Sequence, residues 1–310
     1  MNDVTPVRKK RKDWRTLPLM LLALPGLIYL LINNYIPMAG IFIAFKDIDY
    51  SKGLFASDWV GFKNFTFLFR TKDAFIMTRN TLLYNLVFII LGTVLAIFIA
   101  ILMCELIKSK FSRLYQAGLI LPNLVSMVIV SYIVYAFLNA DSGFINNTVL
   151  KAFGQQPINW YSESKYWPVI LVVVNMWKTA GYSSIIYMAS ISGIDPGLYE
   201  AAKIDGAGKL RQIFSVTLPM LKPTVIMLLI MSVGRIFNSD FGLFYQVPMN
   251  SGAIYSTTQT IDTYVYRALM QLSDVGMSSA AGLYQSVVGF ILVLLTNMIV
   301  KKWDKDSALF

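Results

Sequence analysis

Six apolar runs, near residues 17–45, 80–103, 115–138, 167–190, 223–244 and 282–300, leave this chain few ways to fold. A helix needs roughly 20 such residues to cross a bilayer. Hydrocarbon offers the backbone no hydrogen-bond partner, so segments this apolar cross as helices that satisfy their own amides. Composition agrees, since 14% of the residues are charged against about 25% in a soluble domain. The expectation is an all-α membrane protein with six transmembrane helices over 17–300, between a basic segment at 1–16 and a short tail at 301–310. The first run is longer than a bilayer requires, and Pro37 is expected to bend its outer end.

Charge orients the bundle. With the N-terminus in the cytoplasm, sixteen of the 27 Lys and Arg residues fall inside and nine outside, the excess expected of cytoplasmic loops. Both termini are then cytoplasmic. The net charge of +10 calls for no nucleic acid. The Arg-Lys-Lys-Arg-Lys run at 8–12 is expected to hold the N-terminus against anionic lipid head groups. A signal peptide also starts basic and turns apolar, but this apolar run is too long and lacks a clear small-residue cleavage site. Cys104 is alone and His is absent, so neither an internal disulfide nor an imidazole metal site is expected.

Between the fourth and fifth runs, residues 193–223 turn polar and charged. Asp195 can cap the first free amides of a helix, and Pro196 suits its first position. Tyr199, Glu200, Ala201, Ala202 and Ile204 fit a short helix, which Gly206 can end by taking a positive φ. A second helix is expected from Lys209 until Pro219 and Pro223 bend the chain into the next span. The product is a helical knob on the cytoplasmic face, suited to docking against another protein.

Glu200-Ala201-Ala202, Asp205-Gly206-Ala207, Phe214 and Thr217-Leu218-Pro219 resemble the EAA signature of permease subunits in binding-protein-dependent ABC importers. The resemblance implies a type I, maltose-permease-like fold in a bacterial cell membrane, of the group that takes oligosaccharides from polysaccharides. It implies that the first short helix is a coupling helix seated in an ATPase cleft, with Tyr199, Glu200, Ala201, Ala202, Asp205, Gly206 and Ala207 carrying the contact. It also implies partners: a second permease subunit in a heterodimer, two cytoplasmic ATPase subunits and an extracytoplasmic solute-binding protein. The ATPases would bind ATP and Mg, and this chain would carry no cofactor of its own.

Polar groups inside spans are costly and usually face protein or a water-filled cavity. The fourth run holds Asn175, Trp177, Lys178, Tyr182 and Tyr187, and the fifth holds Arg235, Phe237 and Asn238. Aromatic faces suit sugar C–H bonds, while amide, hydroxyl and cationic groups suit hydroxyls and carboxylates. In the resembling family, substrate contacts come from these two regions, so these eight residues are the expected substrate site. The alternative is that they only join helices through hydrogen bonds. For Lys178 and Arg235 the choice is sharper, between gripping an acidic sugar and neutralising buried carbonyls. Trp59 to Phe65, which resembles the Gly-x-x-Asn-Phe/Tyr element of sugar permeases, is expected to pack rather than bind.

Other chemistry is not supported. The sequence at Gly206-Ala207-Gly208-Lys209-Leu210 fails as a phosphate loop, because Lys203 stands where the first Gly is required and Leu210 where Ser or Thr is. No nucleophile–base pair or metal cluster is evident, so no enzyme activity is expected of the chain. A proton-coupled secondary transporter wants a carboxylate near the midplane, and Glu105 and Asp240 lie toward span ends. A non-transporting scaffold would leave the 193–223 stretch without a purpose.

Overall fold

The structure is a computed structural model that describes residues 17–106 and 112–303. The basic segment at 1–16 with its run at 8–12, the loop at 107–111 and the tail from 304 lie outside the described residues. Nine helical elements position the site: α1 Met20–Phe45, α2 Lys72–Leu106, α3 Ser112–Leu124, α4 Met127–Leu138, α5 Trp167–Ser192, α6 Pro196–Ile204, α7 Lys209–Val233, α8 Ile261–Leu272 and α9 Val275–Trp303. By length and apolar composition α1, α2, α5, α7 and α9 can each cross a membrane, and α3 with α4 makes a sixth crossing if the bent pair is one span.

The pair α2 and α5 forms the spine. One core cluster joins Tyr84, Trp167, Leu171, Val174, Leu243 and Phe244 toward one end. Another joins Ala96, Ala100, Tyr187 and Leu221 toward the other. Small residues bring helices to backbone contact. A Cβ on Gly181 of α5 would fall 1.9 Å from the Leu119 carbonyl oxygen of α3, and one on Gly289 of α9 would fall 2.5 Å from that of Gly234. Without a hydrophobic drive between helices in lipid, such close packing is what holds them together. Most of α1 is exposed along its apolar length, and it reaches α9 through its last turns at Ala39–Phe45.

Two expected spans are corrected. The third was expected as one span over 115–138. Instead helix continues through Pro122, stops after Leu124, and resumes at Met127 after a 94° bend. Ser126 caps the new helix, its Oγ accepting from the Ile129 amide at 3.3 Å. The carbonyls of Pro122 and Asn123 receive Lys178 Nζ at 3.3 and 3.2 Å, and that of Val125 receives it too. The last carbonyls of a helix need such partners. The fifth was expected at 223–244. It starts at Lys209, passes both Pro219 and Pro223 with a wide π-turn at Ile213–Thr217 ahead of them, and ends at Val233.

Beyond α1 a short hairpin pairs β1 Lys46–Asp47 with β2 Asp58–Trp59, the β element among the described residues. Asn64 Nδ2 donates to the carbonyls of Ala44 and Lys46 at 3.1 and 2.8 Å. Phe45, Phe62 and Phe65 cluster with ring centres 5.4 to 5.6 Å apart. The Trp59 to Phe65 element therefore packs the end of α1.

Candidate functional site: a cavity beside a broken helix

A cavity of about 590 Å³ opens between α2, α5 and the end of α7. From α2 it takes Asn85, Phe88, Gly92 and Thr93; from α5, Thr179, Ser183, Ile186 and Tyr187; from α7, Leu228 and Ser232. Its remaining wall is the segment after α7, through Arg235, Asn238 and Ser239. Irregular backbone at membrane depth is tolerated where it is buried in protein or lines a cavity. Here the freed backbone groups are met by side chains of three other helices. Asn85 Nδ2 donates to the Ile236 and Asn238 carbonyls, each at 2.9 Å. Gln285 Nε2 of α9 donates to the Phe237 carbonyl at 2.6 Å. Asp262 Oδ2 of α8 accepts from the Ser239 amide at 2.7 Å and its hydroxyl at 2.8 Å.

Of the eight expected substrate residues, the cavity gathers Tyr187, Arg235 and Asn238. Tyr187 is buried and its hydroxyl bonds Thr93. Arg235 is exposed in the cavity and forms no ion pair among the described residues. Lys178 does not line the cavity, and its ammonium meets the carbonyls at the end of α3. Phe237 does not line it either, its ring being buried in the core against Ile261, Ala281 and Tyr284. Asn175, Trp177 and Tyr182 also stand outside the cavity wall. Trp177 lies two residues before Thr179, about 200° around the helix, and it and Tyr182 are half exposed on the surface of this chain. Thr179, Ser183 and Ser239, polar residues of the same two runs, line the cavity too, and Asn85, Thr93 and Ser232 line it without having been singled out from the sequence. Asn85 did carry a signal, as a lone amide within an apolar run.

At the other end of α5 the polar stretch folds as a compact cap. Asp195 Oδ1 accepts the Gly197 amide at 2.9 Å and starts α6. The helix closes with Gly206 at φ 76°. There the Gly206 amide bonds the Lys203 carbonyl and the Ala207 amide bonds that of Ala202, the paired bonds of a Schellman motif. Tyr199 Oη meets Thr217 Oγ1 at 3.0 Å, tying α6 to α7. Glu200, Ala201 and Asp205 are exposed, and so are the apolar Ile204, Leu210 and Phe214. An exposed apolar patch with a polar rim is characteristic of a protein-binding face. Lys209 Nζ bonds both carboxylate oxygens of Glu105, at 2.9 and 2.7 Å, holding α7 to the end of α2.

A bundle of apolar helices, broken beside a polar cavity and capped by an exposed helical knob, has the parts of a permease subunit. Residues 92–305 match the binding-protein-dependent transport system inner membrane component family, and the chain belongs to it, as the transmembrane subunit of an ABC importer with the type I fold. Protein LplB of Bacillus subtilis (strain 168) is 36% identical over 96% of this chain and 92% of its own length. The polygalacturonan/rhamnogalacturonan transport system permease protein YteP of the same organism is 35% identical over 93% and 89%. Among solved structures, a chain of a bacterial ABC transporter involved in the import of the acidic polysaccharide alginate superposes with a TM-score of 0.84. It is 31% identical, over 94% of this chain and 98% of that one.

Proposed function

We propose that this chain forms half of the path by which an importer admits acidic oligosaccharides derived from polysaccharide. The observation that carries the reading is Arg235, cationic in a 590 Å³ cavity whose mixed wall also presents hydroxyls and amides, and without an ion-pair partner among the described residues. An Arg fork grips a carboxylate with two parallel bonds, and a uronate unit supplies one. The names of the relatives, polygalacturonan and alginate, point to the same class of sugar. Trp177 and Tyr182, exposed on α5, would face the second permease subunit across a shared path, as in a heterodimer.

In this reading α6, with Tyr199 to Ala207, docks in one of two cytoplasmic ATPase subunits, which bind ATP and Mg. A solute-binding protein delivers sugar at the opposite end, and both termini lie in the cytoplasm. ATP-driven movement of the ATPases biases the bundle between inward and outward states through α6. Uptake by the reconstituted importer tests the substrate class. Arg235→Gln is expected to reduce uptake of trigalacturonate about tenfold or more and that of its methyl ester by much less. Equal loss for both sugars, or transport of neutral sugars alone by the unsubstituted importer, removes the acidic-sugar reading.

A further inference from the structure

At the end of the molecule remote from α6, a second cavity of about 490 Å³ lies between the start of α2, the turn at 255–259 and α8. One wall is Arg267, 9% exposed. Its guanidinium sits 4.0 Å over the Tyr255 ring, and Nη1 donates to Asn250 Oδ1 at 3.3 Å. Nη2 is buried with no acceptor, and no other buried side-chain nitrogen or oxygen among the described residues is left so. Burial is the main cause of a lowered guanidinium pKa there, with Tyr255, Tyr245 and Asp73 acting against it. Met249 and Asn250 turn the chain at φ 52° and 48°, a conformation residues other than glycine rarely take. A buried charged nitrogen without an acceptor is rare, and this one belongs to a side chain that lines a cavity an outside acceptor can enter.

We infer that this cavity is an outer saccharide subsite, in which Arg267 receives the carboxylate of a uronate unit before the sugar reaches Arg235. The inference rests on the acidic-oligosaccharide reading and adds a second position along the same route. The walls suit a pyranose. Tyr255 and Tyr264 line it with aromatic surface, the one beneath the Arg267 guanidinium and the other stacked on Phe67, while Gln259, Gln271 and Asp73 offer groups for hydroxyls. A concave space of this volume is of small-ligand size, which favours a sugar over a docked protein face.

The test uses the assembled importer in lipid nanodiscs without its binding protein, with trigalacturonate and its methyl ester as probes. Arg267→Gln is expected to weaken trigalacturonate binding about tenfold while leaving the ester unchanged, and Arg267→Lys to restore part of the loss. In a Cys104→Ser background, maleimide labelling of Gln271→Cys, exposed at the rim, is expected to slow with trigalacturonate and not with the ester. Absence of that protection overturns the subsite. So does equal weakening of both sugars by Arg267→Gln, which marks a docking or structural role. If Arg235→Gln abolishes the acid preference of uptake while Arg267→Gln binds trigalacturonate as the parent does, the subsite falls and the acidic reading stands. If the parent importer treats acid and ester alike, the acidic reading falls and takes the subsite with it.

Discussion

Lys178 and Arg235 entered as equals, two cations within apolar runs, and the structure separates them. Lys178 meets three carbonyls at the break between α3 and α4, the farthest in sequence 56 residues away. Replacing it with Met leaves those carbonyls without a donor, at a cost of about 1–3 kcal/mol. Lys178→Met is therefore expected to lower the thermal stability of the purified complex while leaving the ratio of acidic to neutral uptake unchanged. A changed ratio at normal stability would return Lys178 to the substrate site. That a cation lay within the fourth run was legible in the sequence. Its partners were not, because they depend on where α3 breaks, and the break comes after Leu124 rather than at the conspicuous Pro122. The place of Phe237 was not legible for a similar reason. An aromatic beside an Asn reads as a sugar contact, but once the helix ends at Val233 the ring turns into the core and Asn238 takes the cavity.

Short elements whose ends are set by local chemistry were the most readable. α6 begins at Asp195 and closes at Gly206 as its residues require, since capping involves groups only two to five positions apart. Gly206→Pro forces φ negative where it is 76° and removes the amide that bonds Lys203. It is expected to abolish coupling, so that ATPase activity no longer responds to loaded binding protein while the complex still assembles in the membrane. Glu200→Arg alters only an exposed charge of the same helix. It is expected to give the same uncoupling with unchanged melting temperature, and normal uptake by both variants at normal expression would remove α6 from the coupling role. The end of α7 was less readable, because apolar and aromatic residues continue past Val233. What ends the helix is the competition offered by Asn85, Asp262 and Gln285, which lie far away in sequence.

For the whole molecule, the apolar runs and their charge bias predict an orientation in the membrane that labelling can check. In a Cys104→Ser background, Ser162→Cys and Ser256→Cys are expected to react with an impermeant maleimide from outside, and Lys209→Cys only after the membrane is opened. The reverse pattern would invert the orientation and remove α6 from the ATPases. The wall at 234–240 has a further bearing on how such a molecule changes over generations. Its amides and carbonyls are tied by α2, α8 and α9, and the Ser239 hydroxyl is tied to α8, so the side chains at 235 and 238 are the ones left without a part in holding it. Exchanging them leaves the long helices and α6 where they were. In an importer that takes its sugar at this wall, cargo preference can therefore drift one substitution at a time in a lineage that keeps the same motor.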